Sequence, residues 1–365
     1  MSVLKGAAVL LAAGGTGGHL TPALAVAEEL RARGADVGFV TTPSQIERLT
    51  ADYRVFPLQM RGFERHLLAH QNVTAARLML AAAPRAWRAL SELRPVAVVG
   101  CGGFVTGPVV LLAGLRRIPA LVLENDAHLG VTNSLLRPFV RRICLSFPIA
   151  GLKPPRYIVT GRPLAATHLA ATRQAGLQAF GLRAELPCVL VFGGSQGAQS
   201  INRACLDAFA SPALEFQLVH VCGQRNYDEI RAELLRRQAP VERYRLLAYT
   251  DQLALAMAAA DLIVGRSGGS VAEIAALGRP AVLVPYPFAS ADHQRKNAEW
   301  MAAGAAAVVI ADADLSGERL DAVVRELLGE PQRLAAMAAA SAALGRPQAT
   351  ARVVDEIERL ARRDV

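Results

Sequence analysis

The feature that most constrains this chain is a pattern that occurs twice: a short apolar run, a glycine-rich turn, then a helical periodicity. "VLLAAGGTGGHLTPALAVAEEL" spans 9–30 and "VLVFGGSQGAQSIN" spans 189–202, the second glycine group starting 179 residues after the first. An apolar run feeding a glycine turn and a helix opens a β-α-β unit, and successive units of this kind build a parallel sheet with crossover helices. Further short apolar runs at 37–41, 96–100, 120–123, 217–221, 262–264 and 281–284 alternate with helical stretches.

At 365 residues the chain is long enough for two such domains, each with its own core. The expected fold is therefore α/β, with two Rossmann-like parallel-sheet domains facing across a cleft, since ligands of such sheets bind beyond the carboxyl ends of the strands. The boundary is expected within "VTGRPLAATHL", giving a first domain over 1–162 and a second over 163–345. The last segment, 346–365, has amphipathic helical spacing and is expected to pack back on the first domain.

Composition narrows the partners. Hydrophobic residues make up 52% and charged residues 19%, which excludes a disordered chain. The net charge is +9, carried almost entirely by arginine, with lysine only at Lys5, Lys153 and Lys296. That balance suits an anionic partner. No basic run reaches five residues and no aromatic-rich strand offers a stacking platform, so nucleic acid is not the expected partner. Five cysteines without a C-x-x-C pair read as reduced core thiols of a cytosolic protein. The N-terminal apolar run lacks a cleavage site and reads as a strand rather than a signal peptide, and no apolar run is long enough to span a bilayer.

A glycine loop ahead of a helix offers unpaired backbone N–H groups and the positive end of the helix dipole, both suited to phosphate. The same glycines also serve a tight turn with no ligand at all. The dinucleotide fingerprint fails, because Leu20 stands at its third glycine, and neither loop carries the G-K-[ST] of a P-loop. Nucleoside diphosphates remain, above all with a sugar attached. His19 follows the first loop and precedes Thr21-Pro22, read as an N-cap and first helical position, so its imidazole is expected at the mouth of the site. A neutral imidazole there can accept a hydroxyl proton.

In "GRSGGSVAEIAALG", Glu273 falls three residues after Ser270. This spacing forms a capping box, and equally places a carboxylate where it can accept two ribose hydroxyls. "VPYPFASADHQRKN" brings His293, Gln294 and Asn297 to a helix start, as sugar-binding groups or as a polar helix beginning. The D-x-D at Asp312–Asp314 sits in a polar turn and is not expected to hold a metal; no cofactor is expected.

"GGTGGHLTPALAVAEEL", "GCGGFVTGPVVLLAGLRRIPALVLEND", "GVTN", "VFGGSQGAQSIN", "RSGGSVAEIAALGRPAVLVPYP" and "DHQRKNA", taken in this order over residues 8–310, resemble the MurG family of peptidoglycan N-acetylglucosaminyltransferases. The resemblance implies a GT-B fold and transfer of N-acetylglucosamine from UDP-N-acetylglucosamine to the 4-hydroxyl of undecaprenyl-pyrophosphoryl-MurNAc-pentapeptide, giving lipid II. It implies that Gly194, Ser195 and Gln196 meet the diphosphate, Ser270 and Glu273 the ribose, the backbone of Tyr249 and Thr250 the uracil, and His293 and Gln294 the donor sugar. Thr16, Gly17 and Gly18 would lie near the transferred sugar, with Gly15, Gly18, His19, Gly103, Phe104 and Asn133 toward the acceptor.

Two departures stand out. Where the family often reads His-Glu-Gln-Asn, this chain has Leu123, Glu124, Asn125 and Asp126, so Asp126 is expected to hold a sugar hydroxyl or share base duty with His19. Where the family commonly has G-N-P-V-R, this chain reads Gly161, Arg162, Pro163, Leu164 and Ala165; the usual arginine is lost, and either Arg162 stands in for it at the donor or nothing does. A polyprenyl acceptor also requires a membrane. Leu78, Met79 and Trp87 among Arg85 and Arg88 read either as a shallow patch for an anionic leaflet or as an ordinary amphipathic helix. The expected location is peripheral, on the cytoplasmic side of the plasma membrane. The rival expectations are a UDP-N-acetylglucosamine epimerase, a transferase with another lipid or natural-product acceptor, and a non-catalytic nucleotide-sugar binder.

Overall fold

The computed structural model describes residues 3–14, 17–49, 53–60, 70–194 and 196–362, with only the backbone described at 17, 48 and 70–80. The chain divides into two compact units, Met1–Ala165 with Gln348–Val365, and Ala166–Pro347.

The first unit is built on seven strands: β1 (Ala8–Ala13), β2 (Asp36–Thr41), β3 (Arg54–Pro57), β4 (Ala97–Gly102), β5 (Ala120–Glu124), β6 (Arg142–Leu145) and β7 (Tyr157–Val159). They lie in the order β3-β2-β1-β4-β5-β6-β7, and every pair is parallel. The second unit carries β8 (Cys188–Phe192), β9 (Gln217–Val221), β10 (Tyr244–Leu247), β11 (Leu262–Gly265), β12 (Ala281–Leu283) and β13 (Ala307–Val309). Their order, β10-β9-β8-β11-β12-β13, repeats that of the first six strands, again all parallel. In both sheets the chain reverses its direction of progress beside the first strand. Such a switch point parts the neighbouring loops and leaves a crevice at the carboxyl ends of the strands.

Strands β1 and β8, and β5 up to its final Glu124, are apolar without alternation because helices cover both faces of each sheet. On one face of the first sheet, Leu11, Val99 and Leu121 pack with the helix Gly17–Ala32 and with Val353, Val354, Ile357 and Leu360 of the terminal helix Ala349–Arg362. On the other, Leu10, Val98 and Val122 meet Ala86 and Leu90 of the helix His70–Leu93 and Val109 of the helix Thr106–Leu115. The terminal helix is tied down at its start, where Thr350 Oγ1 accepts the Leu164 N–H at 3.0 Å and donates to the Leu164 carbonyl at 2.8 Å. Farther along, Arg33 pairs with Asp355 at 2.6 Å.

Two local expectations are corrected. The first helix begins at Gly17, so Thr21 is not its N-cap and Pro22 lies inside it. Nor does the Ser270–Glu273 box form: Gly269 precedes the helix Ser270–Ala276 with no side-chain cap, and Ser270 Oγ donates backwards to the Arg266 carbonyl at 3.4 Å.

Candidate functional site

In the first unit, the turn after β1 and the end of β4 pack against each other. Gly102 and Gly103 have φ of +109° and +80°. A Cβ on Gly102 would stand 2.4 Å from His19 Cδ2, and one on Gly103 would stand 1.9 Å from the Gly14 carbonyl oxygen, so no other residue fits this crossing. The half-exposed His19 ring thus lies on the β4 turn. Buried Thr106 braces both strands: its hydroxyl accepts the Gly102 N–H at 3.1 Å and has the Ala12 carbonyl at 3.1 Å and the Gly102 carbonyl at 3.0 Å as acceptors. Phe104 is exposed beyond the turn. Gly15 and Thr16 lie outside the described residues, and Gly17 is described by its backbone alone.

Strand β5 ends in Glu124, a buried carboxylate that closes the following loop. Its Oε1 accepts the Asp126 N–H at 3.3 Å, and its Oε2 accepts the Gly130 N–H at 2.8 Å and Asn133 Nδ2 at 2.9 Å. Burial raises the Glu124 carboxyl above the usual carboxylate range, against the pull of the Gly130 and Asn133 donors. Asn133 also donates to the Leu123 carbonyl at 3.1 Å, so this buried amide shapes the loop that displays half-exposed Asp126. Leu123 is packed in the core. Arg162 is 4% exposed; its guanidinium donates to the Gly18 carbonyl at 2.7 Å and to Asn125 Oδ1 at 3.3 Å. Asn125 in turn donates to the Cys101 carbonyl at 3.1 Å. Arg162 is therefore hydrogen-bonded within the first unit, to the turn that carries His19.

In the second unit, β8 runs into Gly193, Gly194, Gln196 and Gly197, with Ser195 outside the described residues. Gly194 and Gly197 have positive φ, the Gly197 N–H donates to the Gly194 carbonyl at 3.0 Å, and the helix Gln199–Phe209 follows. A Cβ on Gly197 would stand 2.2 Å from the Cys222 carbonyl oxygen. That carbonyl accepts from Asn202 Nδ2 at 2.9 Å and Asn226 Nδ2 at 3.1 Å. Asn202 Oδ1 receives His220 Nε2–H at 3.0 Å, while His220 Nδ1 accepts the Tyr244 hydroxyl at 2.8 Å. Burial pushes the His220 imidazolium down to about 3, so the ring is neutral at ordinary pH.

Tyr249 is exposed and Thr250 half-exposed after β10, with Thr250 Oγ1 accepting the Gln252 N–H at 3.0 Å. Beyond β11, buried Arg266 donates to the Val284 and Pro285 carbonyls at 3.2 Å each, to Asp312 Oδ1 at 2.5 Å and to Ser200 Oγ at 2.8 Å. Asp312, the first acid of the D-x-D, is thus held by Arg266. Among the described residues no group of three or more His, Cys, Asp or Glu is placed to hold a metal ion. Half-exposed Glu273 sits in the first turn of the helix Ser270–Ala276. Gln294 Oε1 accepts the Tyr286 N–H at 3.0 Å and its carbonyl accepts Ser267 Oγ at 2.7 Å; His293 Nδ1 lies 2.8 Å from the Ser290 carbonyl. Asn297 is fully buried and donates to the Ser267 carbonyl at 3.0 Å, so it orders the loop and is not a sugar-facing group.

On the outer helices of the first unit, Trp87 is 51% exposed with the Arg116 guanidinium 4.6 Å from its ring centre. Exposed Arg85 and Arg88 flank it, and Leu111 and Leu115 of the neighbouring helix are exposed too. The side chains of Leu78 and Met79 lie outside the described residues. The helix His70–Leu93 buries Ala82, Ala86, Ala89 and Leu90 and exposes Trp87, so packing and display occupy different faces. Among the described residues no helix is long and apolar enough to cross a membrane.

Two Rossmann-like sheets, each with a glycine turn after its first strand, are the architecture of the GT-B fold, and the family matches make the chain a glycosyltransferase of that type. Residues 9–145 match the glycosyltransferase family 28 N-terminal domain and residues 188–353 its C-terminal domain. Relatives from Moorella thermoacetica (39% identity, covering 96% of this chain and 98% of theirs) and Halothermothrix orenii (37%, covering 94% and 96%) are named UDP-N-acetylglucosamine--N-acetylmuramyl-(pentapeptide) pyrophosphoryl-undecaprenol N-acetylglucosamine transferase. The crystal structure of Acinetobacter baumannii MurG superposes with a TM-score of 0.77 at 31% identity, covering 97% of this chain and 100% of that one. The chain belongs to the MurG family.

Proposed function

We propose that this protein transfers N-acetylglucosamine from UDP-N-acetylglucosamine to the 4-hydroxyl of MurNAc in undecaprenyl-pyrophosphoryl-MurNAc-pentapeptide, forming lipid II for peptidoglycan synthesis. The observation that carries the reading is near-full-length similarity to relatives bearing that name, joined to a glycine turn at the switch point of each sheet. The second unit takes the donor. Gly194, Ser195 and Gln196 meet the diphosphate at the start of the helix Gln199–Phe209, Ser270 and Glu273 the ribose, the Tyr249–Thr250 backbone the uracil, and His293 and Gln294 the sugar. The first unit supplies the base and receives the acceptor near Gly15, Gly18, Gly103 and Phe104.

The reaction is one inverting displacement. The acceptor oxygen forms its bond to the anomeric carbon as the bond to UDP breaks, UDP departs with the electron pair, and the hydroxyl proton passes to His19, with Asp126 orienting the sugar. Backbone N–H groups and the helix dipole meet the charge that develops on the diphosphate, so the reading requires no metal. The protein works peripherally at the cytoplasmic face of the plasma membrane, with Trp87, Arg85 and Arg88 against the anionic leaflet. Radiolabelled UDP-N-acetylglucosamine with a short-chain lipid I analogue tests this: product must require the analogue. Turnover of the nucleotide sugar alone would identify an epimerase instead.

A further inference from the structure

We infer that Arg162 is a positioning residue for the reaction, supplying the hydrogen bond that Pro22 denies to the carbonyl of Gly18 and so fixing the turn that carries His19. The inference rests on His19 being the base proposed above.

The argument starts from the helix Gly17–Ala32. In an α-helix the carbonyl of residue 18 accepts from the N–H of residue 22. Here residue 22 is proline, which has no N–H and whose ring presses the i−4 carbonyl off the helix axis. The Gly18 carbonyl is thereby left to an outside donor, and Arg162 Nη2 reaches it at 2.7 Å, the length of a strong charge-assisted bond. The guanidinium is aimed from the far end of the sheet. Thr160 and Gly161 both donate to the Leu145 carbonyl at 3.1 Å, and Gly161 has φ of +89°, which turns the chain inward after β7. The planar fork then bridges two loops, since Nη1 donates to Asn125 Oδ1 and Asn125 donates to the Cys101 carbonyl next to Gly102. The His19 ring rests on Gly102. One arginine thus ties the backbone before His19 to the strand ends beneath its ring. Lysine could make the first bond but cannot span both partners.

The test uses the full chain and the variants Arg162→Ala, Arg162→Lys and Pro22→Ala, with Pro22→Ala also combined with each arginine change, assayed with UDP-N-acetylglucosamine and a short-chain lipid I analogue. A misplaced base lowers kcat, so Arg162→Ala is expected to lose roughly tenfold or more in kcat while KM for the donor stays near the wild-type value. Arg162→Lys recovers part of the loss. In the double variant the backbone N–H restored at position 22 can serve the Gly18 carbonyl, so it turns over faster than Arg162→Ala, and the same non-additivity appears in the thermal midpoint. Wild-type kcat in Arg162→Ala, or no rescue by Pro22→Ala, overturns the inference; if Arg162→Ala does not fold, Arg162→Lys with and without Pro22→Ala decides it by the same rescue. His19→Ala separates the two readings. Should it turn over like wild type, the base assignment falls while the Pro22–Arg162 coupling in the thermal midpoint still stands or fails by itself.

Discussion

Asn202 Nδ2 donates to the carbonyl of Cys222 at 2.9 Å, and Gly197 passes so close to that same oxygen that a Cβ there would stand 2.2 Å away. The glycine turn of the second unit is therefore seated on a carbonyl that a buried amide holds in place. Replacing Asn202 with Ala leaves His220 Nε2–H without its acceptor and leaves the Cys222 carbonyl to Asn226 alone. A buried donor without a partner costs about 1–3 kcal/mol. The variant is expected to lose that much stability in a denaturant titration and to bind UDP more weakly by calorimetry, with the lipid acceptor unaffected.

His19→Ala is expected to lower turnover by roughly 10²-fold, the scale on which a general base contributes. UDP affinity should stay at the wild-type value, because the groups proposed for the uracil, ribose and diphosphate lie in the second unit. Single-turnover rates beside calorimetry check both statements.

Acid sensitivity should trace in part to His220. Its folded pKa of about 3 lies below the ordinary 6.5, so the unfolded chain binds the extra proton and folding loses stability as pH falls through that window. The loss approaches about 1.4 kcal/mol per pH unit well below the unfolded pKa. Glu124 works in the opposite sense, since a raised carboxyl pKa favours the folded state as it protonates. Urea titrations at pH 7, 6, 5 and 4 should show a shallower decline in His220→Gln than in the wild type.

Trp87→Ala combined with Arg85→Ala should reduce flotation with vesicles containing anionic lipid while leaving turnover of a water-soluble acceptor analogue intact. Each surface arginine contributes about 1 kcal/mol to such binding. Unchanged flotation would place the membrane contact elsewhere on the protein.

The two glycine turns, the parallel sheets and the location of His19 beyond β1 are all legible from local pattern, because an apolar run feeding a glycine turn specifies its own geometry. Strands β3, β6, β7 and β10 are not: each has three or four residues, several carry arginine or tyrosine, and only pairing with a neighbour makes them strands. The helix start at Gly17 is hidden because Thr-Pro is a strong N-terminal signal, and the distant Arg162 side chain that bonds the Gly18 carbonyl has no local signature. Thr106, Glu124, Asn202 and Arg266 escape a sequence reading for the same reason. Thr106, Asn202 and Arg266 each bond at least one residue far off in sequence, Glu124 closes its own loop through Asp126, Gly130 and Asn133, and no spacing rule announces any of these partners.

The return of the helix Ala349–Arg362 to the first sheet has a consequence for biosynthesis. A ribosome delivers residues 1–165 long before Val353, Val354, Ile357 and Leu360, which share with the helix Gly17–Ala32 the packing over Leu11, Val99 and Leu121, so the earlier-made half waits with that face only partly covered. The later-made half, continuous from Ala166 to Pro347, has its whole core in hand first. Translation order and order of completion are thus reversed in this chain, and a nascent polypeptide arrested before residue 349 would be a natural client for a chaperone.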